Sequence, residues 1–232
     1  MHATAIIVAA GEGRRLGGST PKTYRPLCGR PLVLRTLDQF FASRTVAEVI
    51  LVVAATEISR CESLLRQDAR LGRRPWLLRS GGSTRQQSVK SGLETIDSET
   101  DIVVIHDGAR PFVTPALIDH CVEAAYEKGA AVVGVPARDT IKVVSHDRWV
   151  QTTPARRFLW QIQTPQSFHR AIIVEAHEQA ARQRVEATDD ATLVENLGKP
   201  VFVLEGESLN IKITVPQDWW LAEMLIREGK VS

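Results

Sequence analysis

The stretch that decides the fold of this chain is Ile6-Ile7-Val8-Ala9-Ala10-Gly11-Glu12-Gly13-Arg14-Arg15-Leu16-Gly17-Gly18, which Pro21-Lys22 follows closely. It begins with apolar residues that lack helical spacing and runs directly into glycines, which predicts a buried parallel strand ending in a tight loop. Glycines allow positive φ and a close approach of the backbone to a ligand, so several N–H groups can point at one anion. From Gly11 to Arg30 the chain carries five basic residues and one acid. This combination predicts a polyphosphate-binding loop.

Two common phosphate loops do not fit this stretch. A dinucleotide-binding turn has the spacing G-x-G-x-x-G, but Gly13 and Gly17 are one residue too far apart, and the second strand leads into Ala54-Ala55-Thr56 rather than an acid. A P-loop has the spacing G-x-x-x-x-G-K-[ST], and no Lys-Ser or Lys-Thr pair follows a glycine at that spacing. Two interpretations remain open on the loop alone: a looser glycine-rich anion loop that carries Arg15 and Lys22, and a plain strand-to-helix turn with solvated arginines.

Beyond the loop, helical and buried-strand patterns alternate. We predict helices from Pro31, around 58–65, and over 85–96 and 115–128, with strands over 46–53, 75–78, 102–105 and 130–135. This alternation predicts an α/β fold with a doubly wound, mostly parallel sheet that binds ligands at the carboxyl ends of its strands. Two short β runs, 141–144 and 149–152, predict a β-hairpin arm outside the sheet and suited to a dimer contact. Helices over 168–182, 189–196 and 216–228 and a strand over 201–204 complete the prediction.

Composition and charge exclude several classes of protein. The net charge of +2 is too small to indicate nucleic acid or a membrane as the main partner. The cysteines, Cys28, Cys61 and Cys121, are odd in number and far apart, which favours reduced thiols over a disulfide framework or a zinc site. The apolar run 5–10 is too short for a signal peptide or a membrane span. We therefore expect a cytoplasmic protein with a single domain over 1–232, whose arm spans about 138–162.

Two later segments also follow predicted strands. The first is Ser80-Gly81-Gly82-Ser83-Thr84-Arg85-Gln86-Gln87-Ser88-Val89, whose glycines leave main-chain groups free to hydrogen-bond a base edge. A plain N-cap at Ser83 or Thr84 is compatible with that interpretation. The second is His106-Asp107-Gly108-Ala109-Arg110-Pro111-Phe112, whose Asp107 ends a buried strand and can hold substrate hydroxyls or Mg²⁺. His106 fits a packed strand-end residue better than a metal ligand, because no second His or Cys lies at metal-binding spacing.

In chain order these segments resemble the motifs of one enzyme superfamily. The opening stretch resembles the motif A-A-G-x-G-x-R followed by P-K of the sugar-phosphate nucleotidyltransferases. The segment 80–89 resembles their motif G-G-x-x-R-x-x-S-V, and the segment 106–112 resembles their motif H-D-[AG]-A-R-P. Four more segments match in order: Asp139-Thr140-Ile141-Lys142, Thr164-Pro165-Gln166, Thr188-Asp189-Asp190-Ala191 and Asn210-Ile211-Lys212-Ile213-Thr214. Together they resemble most closely the 2-C-methyl-D-erythritol 4-phosphate cytidylyltransferases. The resemblance implies a Rossmann-like nucleotidyltransferase fold and a Mg²⁺-dependent, homodimeric enzyme of isoprenoid precursor synthesis through the methylerythritol phosphate pathway.

The resemblance also implies which residues bind the substrates. Such an enzyme transfers CMP from CTP to a polyol phosphate and releases pyrophosphate, and Arg15 and Lys22 would stabilise the attacked α-phosphate. The implied nucleotide-binding residues are Ala9, Ala10, Gly11 and Gly13 in the loop, and Gly82, Ser83 and Ser88 around cytosine. The implied acceptor-side residues are Asp107, Gly108, Arg110, Thr140, Thr164 and Thr188, with Arg156 and Lys212 as catalytic residues that steer the attacking phosphate. Asp107 is the implied Mg²⁺ ligand, and Arg156 is expected to reach the site of the neighbouring subunit.

Three other functions compete with this one. A ribitol 5-phosphate cytidylyltransferase shares the loop and the nucleotide site, and only the acceptor residues Thr140, Arg156, Thr188 and Lys212 could separate the two. A non-catalytic nucleotide-binding subunit of the same fold is disfavoured because Arg15, Lys22, Asp107 and Lys212 are all present. A dehydrogenase is disfavoured by the missing ribose acid and by the absence of a Tyr-x-x-x-Lys pair.

Overall fold

The strand predicted from the opening stretch, β1 (Ala3–Val8), lies inside a seven-stranded sheet. It pairs in parallel with β4 (Val46–Val53) on one side and with β6 (Ile102–Asp107) on the other. Ile6 and Ile7 are fully buried on opposite faces, which contributes about 1.5–3 kcal/mol each. The structure, a computed structural model, describes residues 1–11, 13, 16–17, 20–71 and 75–231.

The order of strands in the sheet is β11–β7–β10–β6–β1–β4–β5. The remaining strands of this sheet are β5 (Trp76–Ser80), β7 (Ala130–Pro136), β10 (Trp160–His169) and β11 (Phe202–Glu205). Neighbouring strands are parallel, except that β10 runs antiparallel to both β6 and β7. The prediction of an α/β fold with a mostly parallel sheet is confirmed.

Helices cover both faces of the sheet, as the doubly wound pattern requires. On one face pack α1 (Leu32–Ala42), α2 (Ile58–Gln67) and α4 (Pro115–Lys128), whose apolar side chains join those of alternate strand positions. On the other face pack α3 (Arg85–Leu93), α5 (Arg170–Gln183) and α6 (Asp190–Asn196). The last helix, α7 (Pro216–Arg227), adds Ala222 to a smaller cluster with Leu27 and Leu32. No helix in the described part of the chain is long and apolar enough to span a membrane.

Two short ladders lie outside the main sheet. Strands β2 (Pro26–Leu27) and β3 (Arg30–Pro31) form a tight antiparallel turn before α1, and Pro31 is the N-cap of that helix rather than its first residue. Strands β8 (Val143–Val144) and β9 (Val150–Thr152) pair antiparallel within the predicted hairpin region. Their side chains are exposed, including Trp149 in the connecting turn.

Strand β10 is the strand of the main sheet that the sequence patterns did not predict. Phe168 was expected to begin a helix, but it lies in β10, and α5 begins only at Arg170. The strand was hidden because its buried centre is polar, with Gln163, Thr164 and Gln166 in place of an apolar run. Pro165 also cannot donate a ladder hydrogen bond, and the pairing with β7 shifts register between Ile162 and Gln166.

Candidate active site

A cleft opens where the segments after β1, β5 and β6 meet at the carboxyl edge of the sheet. Main-chain bonds hold these segments side by side: Ala9 N–H donates to Val52 O (2.7 Å), Gly81 N–H to Val53 O (2.7 Å) and Gly108 N–H to Val8 O (2.9 Å). The cleft has a volume of about 350 Å³. The following residues that we predicted to bind substrates line it: Ala9, Ala10, Gly11, Gly13, Lys22, Gly82, Ser83, Ser88, Asp107 and Lys212.

The second glycine segment packs closely against the first. A Cβ atom on Gly81 would lie 2.5 Å from the Cβ of Ala10, so any larger residue there would push the two loops apart. Ser83 donates to Gln87 Oε1 through both its N–H (2.9 Å) and its hydroxyl (2.8 Å). Thr84 is the N-cap of α3, since its hydroxyl accepts from the N–H of Gln87 (3.1 Å). The plain capping role and a place in the cleft wall therefore coexist in this segment.

Lys22 lies beside the glycine loop. Its Nζ donates to the carbonyl of Ile213 (2.7 Å), which ties the first loop to the segment before α7. Gly13 has φ +66°, and a Cβ on it would lie 2.9 Å from Cγ of Lys22. The glycine therefore leaves the space in which the lysine side chain runs. Arg15, the other predicted phosphate-stabilising cation, lies outside the described residues.

Asp107 ends β6 inside a cluster of cations. Its Oδ2 lies 2.7 Å from Lys212 Nζ and 3.8 Å from Arg110 Nε, and its Oδ1 accepts from Arg85 Nε (3.1 Å). Burial by itself would raise the pKa of this carboxyl, but Arg85, followed by Lys212, lowers the pKa well below its ordinary range. Asp107 is therefore ionised at neutral pH and holds Lys212 at the cleft.

A buried hydrogen-bond chain supports Asp107 from behind. Its N–H donates to the hydroxyl of Thr164 (3.1 Å), which lies 2.9 Å from Nδ1 of His106. His106 Nε2 faces the carbonyl of Arg110 (3.1 Å), so Nε2 carries the proton and Nδ1 accepts from Thr164. Burial lowers the pKa of His106 to about 3, which keeps the ring neutral. His106 is a packed strand-end residue, as expected, and Thr164 lies behind the cleft rather than in its lining.

Arg85 belongs to this site although the sequence analysis gave it no role. It lines the cleft and bridges two carboxylates, because Nε donates to Asp107 (3.1 Å) and Nη1 to Asp190 Oδ2 (2.7 Å). The signal was present, since Arg85 is the arginine of the G-G-x-x-R segment. Thr23, Thr84 and Thr214 also line the cleft, although the sequence analysis gave none of them a substrate-binding role.

The other predicted residues that the structure describes do not line the cleft. Gly108 is buried behind it, and Arg110 donates from Nη1 to Asn210 O (2.8 Å). Thr140 and Thr188 are exposed. Arg156 is exposed beyond the hairpin, where its Nη1 donates to Arg138 O (2.7 Å). The cleft of one chain thus brings together the predicted nucleotide residues with Asp107 and Lys212.

A doubly wound sheet with a glycine-rich segment, Lys22 and Lys212 at its carboxyl edge is typical of nucleotide-binding α/β enzymes that transfer phosphate-linked groups. Residues 3–228 match the model of the family IspD: 2-C-methyl-D-erythritol 4-phosphate cytidylyltransferase. A protein of that name from Caldanaerobacter subterraneus subsp. tengcongensis is 40% identical, with 98% of this chain and 100% of the relative covered.

Solved structures agree with this match. The structure of 4-diphosphocytidyl-2C-methyl-D-erythritol synthase from Anaerococcus prevotii has a TM-score of 0.86 and 29% identity, and the alignment covers 97% of this chain and 96% of that one. The structure of 2-C-methyl-D-erythritol 4-phosphate cytidylyltransferase from Thermus thermophilus has a TM-score of 0.78 and 36% identity, and the alignment covers 98% of this chain and 100% of that one. The chain belongs to the 2-C-methyl-D-erythritol 4-phosphate cytidylyltransferase family. The family predicted from the motifs, and with it a cytidylyltransferase enzyme, is confirmed.

Nucleotidyltransferases of this family typically use a divalent metal. The described residues contain no cluster of three or more His, Cys, Asp or Glu side chains that could hold one. Asp107, the predicted ligand, already has Arg85 on one oxygen and Lys212 on the other. These protein groups therefore do not make a preformed metal site by themselves.

Proposed function

We propose that this chain transfers the cytidylyl group of CTP to the phosphate of 2-C-methyl-D-erythritol 4-phosphate, in the methylerythritol phosphate pathway to isoprenoid precursors. A phosphate oxygen of the acceptor attacks the α-phosphorus of CTP, a new P–O bond forms, and the bond to the β-phosphate breaks to release pyrophosphate. The observation that carries this proposal is the cleft itself, whose lining combines the glycine loop and Lys22 with the Asp107–Lys212 ion pair.

On the nucleotide side, the main-chain N–H groups of Ala10, Gly11 and Gly13 would face the triphosphate. Ala9 would contribute only van der Waals contact to the nucleotide, because its N–H donates to Val52 O (2.7 Å). Lys22, with Arg15, would stabilise the charge on the five-coordinate α-phosphorus, because positioning and charge neutralisation supply most of the rate in phosphoryl-type transfer. Gly82, Ser83 and Ser88 would read cytosine. Gly82 lets this segment pack against α3, because a Cβ atom on it would lie 2.4 Å from Cβ of Gln87.

On the acceptor side, Asp107 would accept hydrogen bonds from polyol hydroxyls and Lys212 would bind the attacking phosphate. Gly108, Arg110 and Thr164 would support Asp107 from behind, which is a role that their buried or half-buried positions allow. Thr188 would add a hydroxyl contact to the acceptor phosphate.

Thr140 and Arg156 fit a role across a subunit interface. Both lie in the exposed hairpin region and do not line the cleft of their own chain. We propose a homodimer in which the arm, about 138–162, carries Arg156 to the partner's acceptor phosphate. Residues 160–162 of this range pair with β7 in the main sheet, so the part of the arm outside the sheet ends before Trp160. The exposed apolar side chains of the arm, such as Trp149 and Phe158, would be covered in that dimer.

Mg²⁺ is the proposed divalent ion, held by phosphate oxygens of CTP, which Mg²⁺ commonly prefers to an all-protein cage. We also propose that the protein is cytoplasmic, because its cysteines are odd in number and far apart in the sequence and therefore favour reduced thiols. A single domain over 1–232 is proposed from the length and composition of the chain.

The proposal is tested by pyrophosphate release from the purified protein with CTP or UTP, crossed with methylerythritol phosphate or ribitol 5-phosphate. We expect release with CTP and methylerythritol phosphate only. Release with CTP and ribitol phosphate alone would establish the alternative acceptor. A protein that releases no pyrophosphate in any combination would be the non-catalytic subunit.

A further inference from the structure

We propose that Asp190, oriented by His177, is a positioning residue for the reaction. It fixes the guanidinium of Arg85, and Arg85 in turn fixes the Asp107 carboxylate that holds Lys212 at the cleft. The inference rests on the proposed function, since it takes Lys212 to bind the phosphate of the acceptor.

The contacts form one continuous chain from the outer helix layer to the cleft. His177 Nε2 on α5 lies 3.0 Å from Asp190 Oδ1 at the start of α6. The second oxygen of Asp190 accepts from Arg85 Nη1 on α3 (2.7 Å), and Arg85 Nε donates to Asp107 Oδ1 at the end of β6 (3.1 Å). Oδ2 of Asp107 lies 2.7 Å from Nζ of Lys212. Asp190 and Asp107 therefore each contact their two neighbours in this series of contacts through different oxygens.

The inner part of this chain is buried. The side chains of His177 and Asp190 are 3% and 1% exposed. A buried ion pair pays a desolvation penalty that its Coulomb attraction does not always repay, so well-packed apolar residues are often equally stable there. A contribution to stability therefore does not by itself explain why charged residues occupy this position. The need to orient the guanidinium of Arg85 does explain it.

Arg85 suits a bridging role because its guanidinium is planar and presents donors in fixed directions. Two of its nitrogens are directed at the two carboxylates, and Nη2 is buried and has no hydrogen-bond partner among the residues that the structure describes. The orientation of the group is thus set by Asp107 and Asp190 together. Removing Asp190 leaves Asp107 as the only carboxylate partner of Arg85 in the described part of the chain, so the guanidinium can turn fully onto Asp107 and compete with Lys212.

Asp190 is itself fixed by its surroundings. Its N–H donates to Gln166 Oε1 on β10 (3.1 Å), and the neighbouring Asp189 caps α6 by accepting from Thr192 N–H (3.0 Å). The side-chain bonds of Ser83, by contrast, go to Gln87 and not to Arg85. Loss of Asp190 should therefore affect the acceptor and the chemical step and leave cytosine binding unchanged.

The main test compares Asp190→Asn with Asp189→Asn, an adjacent acid that contacts no cation among the described residues. Steady-state pyrophosphate release should show kcat lower by about tenfold for Asp190→Asn, with KM for CTP within about twofold of the unchanged protein. Asp189→Asn loses the acceptor for Gln166 Nε2 (2.8 Å) but keeps the cap, since Asn is also a good N-cap, and it should keep kcat within about twofold. Equal kcat for Asp190→Asn and the unchanged protein would overturn the proposal.

A double-mutant cycle tests whether Asp190 acts through Arg85. Asp190→Asn should lower kcat by about tenfold in the unchanged background but by less than about twofold in an Arg85→Gln background. The same loss in both backgrounds would overturn the route through Arg85. His177→Gln keeps a donor near Nε2 and should retain most activity, whereas His177→Leu should resemble Asp190→Asn. If both His177 variants lose kcat equally, His177 does not act by orienting Asp190.

A measurement without turnover separates this proposal from the proposed function. Crystal structures of folded Asp190→Asn or His177→Leu should show the Arg85 guanidinium displaced and the Asp107–Lys212 contact longer than 4 Å. An unchanged contact in both variants would overturn the positioning role even if the unchanged protein is an active cytidylyltransferase. An unchanged protein that releases no pyrophosphate would contradict the proposed function, whatever these structures show.

Discussion

Lys22 shows how a single side chain gains its importance from the backbone around it. Its stem runs beside Gly13, and its ammonium donates to Ile213 O (2.7 Å) at the edge of the cleft. We expect Lys22→Ala to lower kcat by about 100- to 1000-fold, by analogy with the loss of one oxyanion-hole donor. Pyrophosphate release measures the effect, and thermal unfolding checks that the variant is folded. Turnover as fast as in the unchanged protein would contradict the role of Lys22 at the α-phosphate.

Gly13 gives a second test at the residue scale. Gly13→Ala would place a Cβ 2.9 Å from Cγ of Lys22 and would force alanine to φ +66°, which costs about 1–2 kcal/mol. We expect kcat/KM for CTP to fall about tenfold, because the lysine must move. Gly29→Ala is the matched control, since Gly29 also has positive φ (+79°) but its added Cβ would meet nothing within 4 Å. Equal kcat/KM in the two variants would show that the contact with Lys22 is unimportant.

Sequence motifs predicted individual site residues well, but they did not predict all of them. They located the glycines, Lys22, Asp107 and Lys212, because each occupies a fixed place in a short local pattern. They gave no role to Arg85, since the partner that explains it, Asp190, is 105 residues away in the chain. The role of an arginine depends on which carboxylates lie within hydrogen-bond distance of it in the folded protein.

At the scale of elements, Asp119 on α4 holds the loop between α1 and β4. It is buried and accepts from Ser43 Oγ (2.6 Å), Arg44 N–H (3.0 Å) and Thr45 Oγ1 (2.9 Å). Burial raises the pKa of this carboxyl, but the hydrogen bonds, beginning with that of Ser43, lower it below its ordinary value. We expect Asp119→Asn to reduce the free energy of unfolding at pH 7 by about 1–3 kcal/mol.

The sign of the pH dependence follows from the lowered pKa. A carboxyl that is more acidic in the folded state stabilises the protein above its unfolded pKa of about 3.9, and this contribution is lost as the pH falls towards the folded pKa. The difference in unfolding free energy between the unchanged protein and Asp119→Asn should therefore shrink below about pH 4. Urea unfolding at several pH values measures it, with the exposed Asp147→Asn as control. A difference that stays constant with pH would contradict this account.

Elements with apolar periodicity were predicted well, and β10 shows why one was not. Strands β1, β4 and β6 contain the continuous apolar runs 5–8, 49–53 and 102–105, which indicate strands buried on both faces. The centre of strand β10 is buried too, but Gln163 and Thr164 form hydrogen bonds with distant partners such as Glu207, Asn210 and His106. Its strand character therefore depends on groups that local sequence does not contain.

At the scale of the whole molecule, the exposed hairpin is the feature that a dimer would explain. Trp149 is 77% exposed in the turn between β8 and β9, and Trp220 on α7 is 70% exposed. We expect Trp149→Glu to shift the proposed dimer towards monomer in sedimentation and to lower activity, because Arg156 would no longer reach the partner. Trp220→Glu is the matched control and should leave the sedimentation profile unchanged. A dimer that survives Trp149→Glu would place the interface elsewhere.

The sequence by itself determined the class of fold, the glycine loop after β1 and the order of the motifs, because apolar periodicity and glycine spacing are properties of neighbouring residues. Only the tertiary structure decided that β10 enters the sheet antiparallel between β6 and β7 and that Arg85 bridges Asp107 and Asp190. These features depend on charges and hydrogen bonds between residues far apart in the chain, and such groups meet only when the strands and helices have packed.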